Sequence, residues 1–243
     1  MSNPPKIVLG IPGLWQTRSD FVEAMALNSK GFVFAGRTLL NIASRASWEL
    51  ELRAYTTRLV EAFTVANRGS IDEPTMRAIA KHTFTAYIVG PGGSLDAARS
   101  IMSAAVGVLH AGGLAVKVES AGVAHSSEQW KALTTATDAE ALYYAYVTLV
   151  GQGDNRTYYS CGMHNLGLRD AIITGNLTAY EAGSLLNTFL LYCLIEQPQL
   201  ETGHTFSVDA QSPRYRLSIE QCTVYPKDHL FNNPFGLWRL SPL

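Results

Sequence analysis

The chain has 243 residues, with 19 Lys plus Arg against 20 Asp plus Glu and a formal net charge of −1. Hydrophobic residues make up 47% of it and charged residues 16%, which excludes a disordered chain and supplies a core that needs no staples. The balanced charge lacks the basic excess of a nucleic-acid binder.

The apolar stretch Ile7 to Leu14 is interrupted by Gly10, Pro12 and Gly13, so it does not read as a secretory signal. The longest run free of Asp, Glu, Lys and Arg, Ser100 to Val116, contains Gly112-Gly113 and reads as helix, turn and strand. A spanning helix needs about 20 apolar residues in succession, so no membrane association is expected. Cys161, Cys193 and Cys222 are odd in number and far apart, as suits reduced thiols in a cytoplasm.

Taken in order, Lys6 to Gly10 reads as a strand and Ser19 to Ser29 as a helix stopped by Gly31. Gly31 to Ile42 is strand-like. Ser47 to Tyr55 alternates Trp48, Leu50, Leu52 and Ala54 with Glu49, Glu51 and Arg53, which places one face on a core and one in water. Thr56 caps a helix to Asn67, and a short helix follows Pro74. Phe84 to Val89, the turn Gly90-Pro91-Gly92-Gly93, a helix capped by Ser94 and the run Leu114 to Val118 form a strand–helix–strand unit. Ser126 caps a short helix with Trp130 and Leu133.

Leu142 to Val150 and Thr157 to Cys161 read as a hairpin across Gly151-Gln152-Gly153-Asp154-Asn155. Thr178 and Glu181 have capping-box spacing before a helix rich in Leu and Phe that ends before Pro198. Thr205 to Asp209 and Tyr215 to Gln221 read as a second hairpin, and the aromatic tail Lys227 to Leu243 is expected to pack on the body. The pattern predicts an α+β fold: one domain over residues 1–243, mixed or antiparallel sheets with packed helices, and a part compatible with a ferredoxin-like arrangement. Residues 1–75 are a candidate N-terminal subdomain.

No complete catalytic set is present. The Gly90–Ser94 loop opens a helix as phosphate loops do, but it lacks the Gly-Lys-Ser or Gly-Lys-Thr ending and the dinucleotide spacing; the alternative is a tight turn. Cys161 with His164 is the pair an enzyme would use, a thiol near a base; the alternative is a buried thiol at a strand end. Cys161 and His164 also have C-x-x-H spacing, with Cys222 as a further ligand, but structural zinc sites show two tight pairs. No metal or cofactor is therefore assigned. The segments Cys161 to Asp170 and Gln199 to His204 are dense in polar residues and glycine, and a cleft is expected there.

The run Tyr159-Ser160-Cys161-Gly162-Met163-His164-Asn165-Leu166-Gly167-Leu168-Arg169-Asp170 resembles the Gly-Leu-rich segment of the bacterial domain-of-unknown-function family 4261. Gly203-His204-Thr205-Phe206 after an apolar helix, Gly122-Val123-Ala124-His125 and the order of elements from His82 to Val118 are similar as well. The likeness spans roughly residues 80 to 225. It implies a cytoplasmic immunity protein that binds and neutralises a cognate secreted toxin, as in type VI secretion, by analogy with proteins encoded beside such toxins. His164, Asn165, Arg169, Asp170, His204 and Asp209 are the candidate binding residues, and Trp15, Tyr225, Phe231 and Trp238 the candidate aromatic anchors. The competing expectations are a Cys/His-dependent hydrolase or transferase and an accessory component of a secretion apparatus.

Overall fold

The computed structural model describes residues 4–152 and 156–243. The chain is an α+β fold built on two sheets. The first half gives β1 (Lys6–Gly13), α1 (Arg18–Asn28), β2 (Phe32–Ala35), β3 (Thr38–Asn41), β4 (Ser47–Ala54), α2 (Thr57–Ala66), α3 (Glu73–Ile79), β5 (Phe84–Pro91), α4 (Leu95–His110), β6 (Ala115–Val118) and β7 (Val123–Ser126). The second half gives α5 (Ser127–Thr135), α6 (Ala139–Tyr146), β8 (Thr148–Gln152), β9 (Thr157–Cys161), β10 (Asp170–Thr174), α7 (Ala179–Ile195), β11 (Thr205–Phe206), β12 (Tyr215–Glu220) and β13 (Leu237–Pro242).

The first sheet runs β2-β3-β4-β5-β1-β6-β7 and is antiparallel throughout. Its inner strands β4-β5-β1-β6, with α1 and α4 on one face, have the order of a ferredoxin-like unit, with α2 and α3 inserted between β4 and β5. The alternation expected of β4 is there: Trp48 and Leu50 are buried, while Glu49 faces solvent and pairs with Arg37 at 2.5 Å. Ile7, Leu9, Ile11, Ala86 and Ile88 meet Ala98, Ile101, Met102 and Ala105 of α4. The opposite face takes α2 and α3 through Leu59, Phe63 and Ile79.

The second sheet runs β11-β12-β13-β10-β9-β8, antiparallel except for the parallel pair β10–β13. α7 covers one face with Leu185, Leu186, Phe189 and Leu190, and its capping box between Thr178 and Glu181 is formed. One core cluster runs from Ile7 in β1 to Leu240 in β13, so both sheets share it. Its buried aromatics satisfy their polar atoms: the Trp15 indole donates to the Ala111 carbonyl at 2.7 Å and the Tyr146 hydroxyl to the Ala98 carbonyl at 2.9 Å.

Several elements differ from the sequence reading. Leu142 to Tyr146 is helix, not strand. Asp138 caps α6 by accepting from the Ala141 amide at 2.7 Å, and Ala141, Leu142, Ala145 and Tyr146 are buried at helical spacing. The hairpin is therefore shorter, pairing Thr148 with Cys161 and Gln152 with Thr157, and Gly153, Asp154 and Asn155 of its expected turn lie outside the described residues. The strand-like run Gly31 to Ile42 is two strands divided at Gly36, whose φ is +62°. The segment after Phe206 folds back on itself instead of extending to Asp209. β10 shows no alternation because it lies inside its sheet with Ala171 and Ile173 buried on one face and Ile172 on the other, whereas β13, which the sequence reading left in the tail, alternates buried Trp238 and Leu240 with part-exposed Arg239 and Ser241.

Candidate functional site

The segment from Ser160 to Asp170 leaves β9, makes a single 3-10 turn over Met163–Leu166 and enters β10. Gly162 and Gly167 bracket the turn with φ of +123° and +83°. A Cβ on Gly162 would overlap the Tyr146 carbonyl oxygen, and one on Gly167 would lie 2.5 Å from the Gly93 carbonyl oxygen. The turn is thus pressed between the end of α6 and the loop before α4. The Gly93 amide donates to the Asn165 carbonyl at 3.0 Å, which gives that glycine-rich loop a structural task.

Asp170, buried, is the centre of this segment. Its carboxylate accepts from the Ser160 hydroxyl at 2.7 Å, from the Met163 amide at 3.3 Å and from the Asn233 side-chain amide at 2.6 Å. Asn233 also donates to the Leu168 carbonyl at 2.9 Å, so the tail is tied to the turn by one side chain. A carboxylate with three donors from three parts of the chain is a clamp.

His164 and Asn165 are sealed in the same place, at 1% and 0% exposure. The His164 Nδ1 lies 3.8 Å from Asp170, beyond hydrogen-bond reach, and neither ring nitrogen nor either Asn165 amide atom has a hydrogen-bond partner. Leaving such atoms unpaired costs about 1–3 kcal/mol each.

No hydrogen bond joins Cys161 to His164. The Cys161 thiol instead points to the Phe231 carbonyl at 4.0 Å. Burial pushes this thiol well up, and the Asp170 carboxylate pushes in the same direction. A nucleophilic cysteine needs the opposite environment. Accordingly, a thiol reagent at pH 8 is expected to modify the half-buried Cys222 in the native protein and to reach Cys161 and Cys193 only on denaturation. Rapid native labelling of Cys161, read by peptide mass spectrometry, would restore the enzyme reading. Among the described residues no group of His, Cys, Asp and Glu is placed to hold a metal.

His204 and Asp209 do not join this cluster. His204 is exposed and its Nδ1 accepts from the Glu201 amide at 3.3 Å. Asp209 is exposed and closes a turn. The Ser212 side chain and the Gln211 and Ser212 amides, at 2.9 and 2.7 Å, hold its carboxyl below the usual carboxylate range. Trp15 and Trp238 are core residues, while Tyr225 and Phe231 are half-buried.

Arg169 is different. Its side chain reaches a cleft of about 330 Å³ between Gly167–Leu168 and Gln197–Leu200, walled by Trp238 and Phe235. The cleft overlaps the two expected segments, Cys161–Asp170 and Gln199–His204, only at Gly167–Arg169 and at Gln199–Leu200. The guanidinium sits 5.4 Å over the Trp238 ring, its Nε is buried without a partner, and no carboxylate lies within 4.0 Å among the described residues. A guanidinium lying over an aromatic ring keeps its donors available for a carboxylate or phosphate. Asn233 and Trp238, which hold this constellation from the tail, carry no local motif. The only hint of them is the cluster of aromatics around Asn232-Asn233-Pro234.

No helix among the described residues is long and apolar enough to cross a membrane. No family model, no curated protein and no solved structure matches this chain.

Proposed function

We propose that this chain is a binding protein that neutralises a cognate toxin domain, and that Arg169 receives an acidic group of that partner. The observation that carries the reading is the unpaired guanidinium 5.4 Å over the Trp238 ring at the edge of a cleft. Arg and Trp are the side chains that most often dominate protein interfaces. The groups that an enzyme would use, Cys161 and His164, are enclosed and unconnected, which removes support from the catalytic alternative. The resemblance of residues 159–170 to family 4261 supports the same reading, and it rests on analogy.

The test is affinity capture with this chain as bait in its native host, followed by co-expression with the toxin domain captured. The expected result is restored growth and a complex of equal stoichiometry. Arg169→Glu is expected to weaken that complex about 30-fold or more, since a central charged anchor contributes about 2 kcal/mol or more. Absence of both rescue and complex would overturn the reading. An unchanged affinity in Arg169→Glu would remove Arg169 from it.

A further inference from the structure

A second groove, separate from the Arg169 cleft, lies where α2 and the β6–β7 turn of the first sheet meet β8 and β9 of the second. Its volume is about 520 Å³, within the usual range for small-molecule sites. One wall is a side of α2. Arg58, Ala62 and Val65 follow at helical spacing, and Arg68 continues the line just past the helix end. Val65 is 81% exposed, although the neighbouring apolar residues of α2, Leu59 and Phe63, are buried. The facing wall is Val150, Cys161 and Phe231. The middle of the groove, between Val65 and Phe231, is therefore apolar.

Its charge is one-sided. The lining carries Arg58, Arg68 and Lys117 against a single carboxylate, Glu61. Lys117 at the floor is buried and already paired with Glu119, so it adds little net attraction. Arg58 and Arg68 at the rim have no ion-pair partner among the described residues.

We propose that this groove is a binding site for an amphipathic organic anion, an acyl or aryl body carrying a carboxylate. The apolar body lies between Val65 and Phe231, and the carboxylate meets one of the two guanidiniums, Arg58 or Arg68, which stand about 15 Å apart along α2. A neutral apolar molecule would leave the two guanidiniums unused, and a cation would be repelled by them. The site shares no residue with the Arg169 cleft and does not depend on the toxin-binding reading.

The probes are 8-anilinonaphthalene-1-sulfonate, followed by fluorescence, and decanoate as competitor below its micelle-forming concentration. Saturable binding of the dye and its displacement by decanoate are expected. Decyltrimethylammonium, with the same chain and the opposite charge, is expected to compete at least tenfold more weakly. The double variant Arg58→Glu, Arg68→Glu changes only exposed side chains and is expected to weaken decanoate at least tenfold with an unchanged melting temperature. Ala62→Trp, which fills the groove, is expected to abolish both signals, whereas Arg169→Glu leaves them intact. Absence of saturable dye binding overturns the proposal. So does equal competition by the two decyl compounds, or displacement that survives Ala62→Trp.

Discussion

Replacing Asp170 by Ala is expected to destabilise the protein by about 3–5 kcal/mol, because it removes a buried charged acceptor and strands its donors. For a chain of this size that is a fall in melting temperature of roughly 6–20 °C. The Met163 amide and the Ser160 hydroxyl proton are left without an acceptor, although the hydroxyl oxygen still accepts from the Ala171 amide at 2.9 Å, and the Asn233 amide keeps only its bond to the Leu168 carbonyl. Asp170→Asn is expected to fall between the two. Its carbonyl oxygen can still accept from Ser160 and Met163, but its amide group then faces the Asn233 amide as donor against donor. Asp170→Ala combined with Asn233→Ala is expected to cost less than the sum of the single changes, since the two side chains share one bond. Denaturant titration of the four proteins measures this. A loss below about 1 kcal/mol for Asp170→Ala, the range of ordinary surface changes, would mean that the clamp is not what closes this half of the fold.

Gly162→Ala is the second change with a large expected effect. Two penalties act together. The backbone has φ of +123°, a region that costs a side chain about 1–3 kcal/mol. The added methyl also overlaps the Tyr146 carbonyl oxygen at the end of α6, and relieving that moves backbone, not a flexible side chain, at about 1–3 kcal/mol more. A total of about 3–5 kcal/mol is expected. Gly175→Ala is the control: its position has no positive φ and nothing within 4 Å of the added Cβ. There the change is expected to be neutral or to stabilise by up to about 1 kcal/mol through the unfolded state. Equal melting temperatures for the two variants would contradict the steric argument.

Local signals made the edges and helices of this fold readable. The β4 alternation, the Ser94 and Ser126 caps and the Thr178–Glu181 box each act within a few residues of themselves, and each is found where the sequence places it. The misreading of Leu142–Tyr146 has a physical reason. Three tyrosines and the following Val147 carry strand preference, but the Asp138 cap and burial of Ala141 and Ala145 against neighbouring helices override it. At the candidate site, the polar segment Cys161–Asp170 was legible as a special region, yet the sequence does not separate its roles. His164 and Asp170 read as exposed binding groups and are interior, whereas Arg169 between Leu168 and Asp170 is the group that reaches the cleft. Asn233 and Trp238 join the site from more than sixty residues downstream, and contacts of that range leave no pattern in a single sequence.

The position of β13 bears on how the chain is made. It is last of the strands in chain order, yet it sits between β12 and β10. On the ribosome, the first sheet has all of its strands once Ser126 has emerged and can zip while synthesis continues. The second sheet cannot. Until Leu237 to Pro242 clear the exit tunnel, β10 and β12 each hold out an unpaired edge, and an open edge is a template for pairing with another nascent chain. Asn233, the residue that locks Asp170, arrives only a few residues earlier. The two halves are therefore expected to acquire protease resistance in sequence during translation. The first would do so before the second, which waits for Leu237 to Pro242 and for a pairing between β10 and β13 whose sequence separation makes it slow.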